Sequence, residues 1–276
     1  MEEWVEETLH PGMRFGLKAD RVLHDSKTDR QHLVIFEHGR LGKVMSLDGV
    51  VRLTTACAFV HHEMIAHLPL LAHGRAESML IVGGGDGGAL REALKHKSLQ
   101  HVTLVETGQG LIDLSREHFP EVSAGAFDDP RAEVVISDIA DFVLKTDRRF
   151  DVIVVDSTKP LAPEVYAGCK RVLNDGGIMV TRSGTPFLDG ARLTESVKAL
   201  HGLFRDASAY LAALPTGPGG ATAYGWATDS LALRRLSRDV ICTRFKEAGL
   251  QTLYYNPDIH IAAFALPGYV RALIEA

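Results

Sequence analysis

The chain has 276 residues, of which 46% are hydrophobic and 24% are charged, and its formal net charge is −5. This composition excludes a disordered chain, since the apolar content suffices for a large core. No block of like charges is long enough to bind nucleic acid. The longest apolar runs are strand-sized, far short of the roughly 20 residues of a membrane helix. The acidic N-terminus does not resemble a signal peptide, and the three widely spaced cysteines indicate neither disulfides nor zinc. We therefore expect a cytoplasmic protein without nucleic-acid or membrane partners.

The first 54 residues have the pattern of a small antiparallel β unit. Apolar, β-rich stretches occupy 31–37, 41–47 and 50–54. The dipeptide Asp48-Gly49 separates the last two, and Asp-Gly between apolar runs is a strong hairpin signal. We expect an N-terminal β-strand domain over 1–54, followed by a helix over 59–67 that ends near Pro69.

From residue 78 the pattern changes to strands that alternate with helices. Alternation of this kind predicts a parallel sheet with helices on both faces. We therefore expect a second domain over 55–276, an α/β unit with a Rossmann-like sheet. The predicted strands cover 78–82, 101–106, 133–137, 151–156, 176–182, 207–214, 222–227 and 251–255.

A glycine-rich loop follows the first strand of this sheet and opens a helix. It reads Gly83-Gly84-Gly85-Asp86-Gly87-Gly88 and satisfies the spacing G-x-G-x-x-G. Glycines at these positions allow a tight turn and let a ligand approach the backbone. The same spacing also occurs in plain strand-to-helix turns, so the loop alone is weak evidence for a nucleotide site.

Four acidic residues fall at the carboxyl ends of the predicted strands, where open parallel sheets bind ligands: Asp86, Glu106, Asp138 and Asp156. An acid inside the glycine loop would repel a pyrophosphate, so a dinucleotide is disfavoured. A sulfonium nucleoside with a free amine fits better, with its ribose on Glu106, its adenine amine on Asp138 and its amine tail on Asp86. The alternative for any one of these acids is a helix N-cap.

The chain resembles the polyamine aminopropyltransferases, specifically bacterial spermidine synthases, over nearly its whole length. The matching stretches include Glu7-Thr8-Leu9-His10, Leu47-Asp48-Gly49-Val50, His62-Glu63-Met64, the glycine loop with Leu90-Arg91-Glu92, Asp128-Asp129-Pro130-Arg131, Asp156-Ser157-Thr158 and Tyr254-Tyr255-Asn256-Pro257. The resemblance implies an N-terminal β-strand domain on a class I methyltransferase-type sheet, a homodimer, and decarboxylated S-adenosylmethionine as donor.

The resemblance also implies which residues line the donor site. They are Gln31, His62, Asp86, Glu106, Asp138 and Asp156, with Gly83, Gly85 and Ser157 from the adjoining motifs. No metal is expected.

Several positions depart from the family pattern, and most belong to the acceptor side. The second acid of the family's Asp-Ser-Thr-Asp-Pro motif is Lys159 here, and a tyrosine is replaced by His61. Arg182 and Arg52 stand where glutamine is common, while Gly217 replaces a tyrosine and Cys57-Ala58 an acidic pair. A lysine 4 Å from an ammonium costs about 4 kcal/mol at an effective dielectric near 20. A diamine acceptor is therefore disfavoured.

These changes lead to a specific hypothesis. The enzyme would transfer an aminopropyl or 3-amino-3-carboxypropyl group from decarboxylated or intact S-adenosylmethionine to a non-standard small-molecule acceptor. Asp156 would be the base with His61 as its partner, and Lys159, Arg182 and Arg52 would contact the substrate. Three alternatives stay open: a cyclase or lyase acting on the S-adenosylmethionine tail, a silent nucleoside-binding paralogue, and an ordinary spermidine synthase.

Overall fold

The computed structural model describes residues 3–27, 32–157 and 161–275. Six strands form two antiparallel sheets, a hairpin of β1 with β2 and a meander of β3 to β6. Asp48 and Gly49 have φ of 53° and 80°, as a two-residue hairpin turn requires, which confirms the Asp-Gly turn. The strands are β1 Glu3–His10, β2 Met13–Ala19, β3 Arg21–Lys27, β4 His32–His38, β5 Gly42–Leu47 and β6 Val50–Thr54.

The meander is covered on both faces, which explains the continuous apolar run in β4. Leu33 and Ile35 pack with Phe119 on one face, whereas Val34 and Phe36 pack against β2 on the other. Because neighbouring residues of a strand point to opposite faces, such a run needs two apolar environments. The N-terminal strands are thereby held against the rest of the chain.

Helix α1 runs over Ala58–His73, so the prediction that it ends near 67 was wrong. Pro69 lies inside it, and residues 60–72 are all buried. A proline inside a helix removes one backbone hydrogen bond and costs about 3 kcal/mol. Burial of the apolar residues on both sides of Pro69 offsets that cost, so the helix continues.

A seven-stranded sheet follows, in the order β12-β13-β11-β10-β7-β8-β9. Strands β7 to β11 are parallel to one another, and β13 is antiparallel to its neighbour β11. The edge strand β12 is antiparallel to β13 and therefore has the same direction as β7 to β11. The strands are β7 Ser78–Gly83, β8 His101–Glu106, β9 Ala132–Ile136, β10 Phe150–Asp156, β11 Leu173–Arg182, β12 Asp206–Ala212 and β13 Thr222–Thr228. The expected α/β fold, a small antiparallel β unit on a Rossmann-like sheet, is confirmed.

Helices cover both faces of this sheet. Ile81 and Val154 point to the side of α1 and α2, and Leu80 and Ile153 point to the side of α5 and α6. The remaining helices are α2 Gly88–Leu94, α3 Gln109–His118, α4 Pro120–Ser123, α5 Ile139–Lys145, α6 Pro163–Val172, α7 Gly190–His201, α8 Arg238–Ala248, α9 Pro257–Ala263 and α10 Gly268–Glu275. None of the helices in the described ranges is long and apolar enough to cross a membrane.

The strand predicted over 251–255 is absent, which is a second correction. The backbone N–H groups of Leu253, Tyr254 and Tyr255 each donate to the buried carboxylate of Glu63, at 2.8 Å. Because a side chain of α1 takes these donors, they are not available to a strand ladder. Glu63 thus fixes the C-terminal segment against α1.

Candidate active site

A chain of three buried side chains lies at the carboxyl end of β10. His61 Nε2 is 2.9 Å from Asp156 Oδ2, and His61 Nδ1 is 2.8 Å from the Tyr224 hydroxyl. An ionised carboxylate can only accept a hydrogen bond, so Nε2–H of His61 donates to Asp156 and the tyrosine donates to Nδ1. The three residues come from β10, α1 and β13, and their contacts fix the histidine in one tautomer.

The pKa values of this group support that assignment. Burial lowers the pKa of His61 and outweighs the attraction of Asp156, so the ring is neutral. Burial by itself would raise the pKa of Asp156, but the charge and hydrogen bond of His61 and the charge of Arg182 bring it well below its usual range. Asp156 is therefore an anion. A carboxylate with so low a pKa is a good hydrogen-bond acceptor and a poor proton acceptor.

The second oxygen of Asp156 has no hydrogen bond with any described residue. This oxygen, Oδ1, is buried and lies 3.6 Å from Nη1 of Arg182. The distance allows electrostatic attraction but exceeds a hydrogen bond. Arg182 is the last residue of β11 and its register partner on β13 is Tyr224, so the same two strands position both groups around Asp156.

A second histidine–carboxylate pair holds the glycine loop. His62 Nε2 lies 3.2 Å from Oδ1 of Asp86, and the same oxygen accepts a hydrogen bond of 2.7 Å from the N–H of Gly88. Burial lowers the pKa of His62, but the charge and hydrogen bond of Asp86 and the charge of Asp156 together outweigh it, so the pKa stands above its usual value. In turn, His62 holds the pKa of Asp86 below its usual value in spite of burial.

Glycine is required at two positions of the loop for different reasons. A Cβ on Gly88 would come within 2.1 Å of the His62 ring, so only glycine lets the histidine reach Asp86. Gly83 has φ of +77°, and a Cβ there would lie 2.8 Å from the backbone oxygen of Asp156. The loop therefore passes directly over the end of β10.

Glu106 ends β8 and is held in a fixed orientation. Its Oε1 accepts hydrogen bonds from the N–H of Thr107, at 2.7 Å, and from the Thr107 hydroxyl, at 3.0 Å. The other oxygen faces Gly85, where a Cβ would lie 2.9 Å from it. One oxygen of this buried carboxylate is thus directed to the glycine loop.

Asp138 behaves differently from the other acids. It is exposed and caps α5, with Oδ1 accepting from the N–H groups of Ala140 at 2.8 Å and Asp141 at 3.2 Å. Oδ1 therefore acts as a helix N-cap, the alternative function considered for these acids, whereas Oδ2 makes neither of these hydrogen bonds.

A cavity of about 460 Å³ lies beside His61 and His62, between β1 and β6 on one side and the ends of β11 and β13 on the other. Its charged lining consists of Arg52, Arg182, Arg192, Glu7 and Asp189. The positions of the sequence departures meet here, since Cys57, Ala58 and Gly217 also line it. Asp156 does not line the cavity, since its side chain is only 5% exposed.

The arginines of this cavity have few partners. Nε of Arg52 is buried without a hydrogen-bond partner in the described parts of the chain. Burial and the charge of Arg182 lower the pKa of Arg52. Arg192 donates to the backbone oxygens of Ser157, at 3.1 Å, and of Arg182, at 3.3 Å.

Glu7 is the acidic residue of β1 that reaches the cavity. Burial raises its pKa, and a hydrogen bond from the backbone of Val51 and the charges of Arg52 and Arg182 counteract that shift. Arg52 makes no ion pair within 4.0 Å of Glu7 or any other described acid. Arg182 has an ion-pair partner in Asp156 at 3.6 Å, whereas Arg52 has no ion-pair partner among the described residues.

The residues predicted from the sequence fall into three sets. His62, Gly83, Gly85, Asp86, Glu106, Asp156 and Ser157 lie around the strand ends, and His61, Arg52 and Arg182 line the cavity. Asp138 lies apart, and Gln31 and Lys159 are outside the described residues. The sequence analysis missed Tyr224 and Arg192, because β13 and α7 reach the site only through the folding of the sheet. Among the described residues, no group of three His, Cys, Asp or Glu side chains is arranged to hold a metal ion.

Two family models match the chain. The spermine/spermidine synthase domain matches residues 58–236, and the spermidine synthase tetramerisation domain matches residues 3–55. A polyamine aminopropyltransferase 1 of Pseudomonas aeruginosa is 47% identical over 98% of this chain and 96% of that protein. A polyamine aminopropyltransferase of Ruegeria sp. is also 47% identical, over 99% of this chain and 98% of its own length.

Solved structures agree with these relatives. A spermidine synthase from Thermotoga maritima is 33% identical, with a TM-score of 0.91 over 99% of this chain and 94% of its own. A spermidine synthase in complex with the transition state analogue AdoDATO gives 0.92 at 33% identity, over 99% and 95% of the two chains. The fold and site define a transferase with a class I methyltransferase-type sheet. The chain belongs to the spermine/spermidine synthase family, as its sequence motifs predicted, and is an aminopropyl-type transferase of that family.

Proposed function

We propose that this enzyme transfers the aminopropyl chain of decarboxylated S-adenosylmethionine to an amine. The observation that carries the proposal is the 47% identity, over nearly the full length of both chains, to proteins named polyamine aminopropyltransferase. The ordinary family reaction, kept as an alternative in the sequence analysis, is therefore the function best supported. The non-standard acceptor stays a prediction.

The strand-end residues support the donor part of the proposal. Glu106 has one oxygen fixed by Thr107 and one directed to the loop, an arrangement suited to a ribose diol. Asp86 and His62 form a polar pair under Gly88, where Asp86 would attract a donor ammonium. We assign Gly83, Gly85 and Ser157 to the donor site as residues whose backbone lies next to the bound donor. Asp138 and Gln31 are also assigned to it by the resemblance.

In the reaction, the acceptor nitrogen forms a bond to the carbon next to the sulfonium. The carbon–sulfur bond breaks, its electron pair goes to sulfur, and methylthioadenosine leaves as a neutral thioether. The alkylated nitrogen gives up one proton to solvent or to a nearby base. Because a sulfonium is already a good leaving group, the protein must mainly position and desolvate the amine.

Asp156 is the residue that we assign to the amine. Its Oδ1 has no hydrogen-bond donor among the described residues, so this oxygen can accept one from the attacking nitrogen. Oδ2 is already bound to His61, which makes His61 a positioning residue. Exposure of Oδ1 requires a small movement of Arg182, whose Nη1 lies 3.6 Å away.

The direct test supplies purified enzyme with decarboxylated S-adenosylmethionine and putrescine. We expect methylthioadenosine and an alkylated amine in equal amounts, measured by mass spectrometry. Asp156→Asn should lower turnover by about a hundredfold or more, the size of effect expected when a reacting group is misplaced by about 1 Å. Methylthioadenosine without alkylated amine would instead support a cyclase or lyase. Donor binding without any product would support a silent paralogue.

We also propose an assembly and a location. The division into an N-terminal unit over 1–54 and a catalytic unit over 55–276 is supported by the boundary between the two family matches. The match of residues 3–55 to a tetramerisation domain supports self-association, of which a homodimer is the smallest form. Light scattering on the purified chain would give the number of subunits. The relatives are consistent with a cytoplasmic enzyme.

A further inference from the structure

The unusual feature of the cavity is an arginine that its surroundings do not neutralise. Arg52 has a buried Nε without a hydrogen-bond partner, and no described carboxylate lies within ion-pair distance of it. Arg182 reaches Asp156 only at 3.6 Å. Arg52 is half-buried, and removing part of a cation from water without an anion beside it is costly, so such groups are normally paired. The unpaired guanidinium faces a cavity of about 460 Å³ that can admit a ligand.

The other charges of the cavity do not neutralise Arg52. Asp189 attracts Arg192, whose guanidinium also donates to two backbone oxygens. Glu7 accepts a hydrogen bond from the backbone of Val51 and forms no hydrogen bond with Arg52. A diammonium substrate would meet three arginines in this space. A carboxylate would meet Arg52, which has no ion-pair partner among the described residues, and Arg182, whose anion Asp156 lies 3.6 Å away and makes no hydrogen bond with it.

We propose that this cavity binds a substrate carboxylate through Arg52 and Arg182. The proposal rests on the proposed transferase function and adds a carboxylate to one of the two substrates, so that the donor or the acceptor is an amino acid and not the corresponding simple amine. A guanidinium can bind both oxygens of a carboxylate in one plane, which makes arginine the residue best suited to this role. Arg52 and Arg182 replace glutamines of the family pattern, and glutamine is neutral.

The carboxylate can come from either substrate. Intact S-adenosylmethionine carries it on the transferred chain, and an amino-acid acceptor carries it next to an amine. Each source has a matched pair that differs by one carboxylate: S-adenosylmethionine against its decarboxylated form, and ornithine against putrescine. The experiment measures kcat/KM for the four donor and acceptor combinations, and the dissociation constants of the four compounds by calorimetry.

The variants are Arg52→Gln and Arg182→Gln, which restore the family residue, with Arg52→Lys keeping the charge without the planar fork. Arg235→Gln is the matched control, because Arg235 is exposed and outside the cavity. We expect the wild type to prefer the carboxylated member of one pair at least tenfold. Each glutamine variant should reduce this preference at least tenfold, because kcat/KM and affinity fall more for the carboxylated member of the pair than for the decarboxylated one. The preference of Arg52→Lys for the carboxylated compound should lie between those of the wild type and Arg52→Gln, and the preference of Arg235→Gln should equal that of the wild type.

The pair that shows the preference identifies the source of the carboxylate. The proposal is overturned if the wild type prefers decarboxylated donor and putrescine, a result that leaves the proposed function intact. It is also overturned if the glutamine variants lose activity equally on all four compounds, because the arginines would then be structural. If no combination gives product, the proposed function fails, and the calorimetric preference within each pair still decides the carboxylate proposal.

Discussion

Nε2 of His61 lies 2.9 Å from Oδ2 of Asp156, and this contact joins the first turns of α1 to the end of β10, 95 residues apart in sequence. The carboxylate is the acceptor, so the histidine must keep its proton on Nε2. Asp156 is thereby left with one oxygen for a substrate. At position 61 the family pattern has a tyrosine, and this chain has a histidine. The ring of this histidine is oriented by its hydrogen bond with Tyr224.

Removal of the Tyr224 hydroxyl should disturb this arrangement. In Tyr224→Phe the ring can still stack on Tyr210, whose centroid lies 4.9 Å away, but the buried Nδ1 of His61 loses its donor. An unsatisfied buried polar atom costs about 1–3 kcal/mol. We expect the free energy of unfolding, measured in urea, to fall by that amount and kcat to decrease about tenfold. Tyr269→Phe, at an exposed site, is the control. Equal values for both variants would contradict the assigned hydrogen bond.

Gly88 should not accept even a methyl group. The added Cβ of Gly88→Ala would overlap the His62 ring, so the ring must leave Asp86 or the loop must shift. Overpacking of this kind costs about 1–3 kcal/mol, and donor binding should weaken because Asp86 changes position.

The matched control for this prediction is Gly110→Ala, in the first turn of α3, where a Cβ would meet nothing within 4 Å. That variant should be neutral or slightly more stable, since alanine favours a helix more than glycine. Thermal unfolding and calorimetry with the donor measure both effects. Normal donor affinity in Gly88→Ala would show that His62 and Asp86 do not shape the site.

Two acids at the strand ends should contribute to adenosyl binding. Glu106→Ala should weaken it at least tenfold, equivalent to about 1.4 kcal/mol, because the oxygen directed to Gly85 is lost. Glu247→Ala, at an exposed position of α8, is the control. Unchanged affinity for Glu106→Ala would exclude this residue from the donor site.

Asp138 needs a different substitution, because it also caps α5. Asp138→Asn keeps an N-cap of equal quality and removes the charge, whereas Asp138→Ala removes both and should cost about 1 kcal/mol of stability. We expect both variants to bind the donor at least tenfold more weakly in calorimetry. If Asp138→Asn binds normally, the residue is a helix cap and the adenine contact must come from elsewhere.

The stability of the enzyme should decrease from about pH 6.5 downwards. Burial and the charge of Arg244 lower the pKa of His260 to about 3, and burial and the charge of His67 lower that of His96 to about 3. Between the unfolded value of 6.5 and about 3, the unfolded chain binds these protons and the folded chain does not. Each histidine then reduces the free energy of unfolding by up to about 1.4 kcal/mol per pH unit as the pH falls.

The variant His260→Gln should remove the contribution of one histidine from this slope. Denaturant unfolding at several pH values between 3 and 7 measures it. His201→Gln, on the exposed end of α7, should keep the full slope. A slope that is the same in wild type and His260→Gln would show that His260 is protonated in the folded enzyme.

The amino-acid sequence by itself determined the alternating strands and helices, the Asp-Gly hairpin and the acids at the strand ends. These features follow from local patterns, because strand polarity, turn geometry and residue periodicity are properties of short segments. The family motifs predicted a set of donor-site residues for the same reason, since the glycine loop and its flanking strand are continuous in sequence.

The tertiary structure decided what local patterns do not contain. Helix α1 passes through Pro69 because burial on all sides outweighs the lost hydrogen bond. Segment 251–255 is not a strand because Glu63, from a distant helix, takes its N–H groups. Tyr224 meets His61 only because β13 pairs with β11. Whether Arg52 is neutralised depends on which acids the folded chain brings near it. The sequence alone does not determine this, because burial and charge pairing are set by residues that are far apart in sequence.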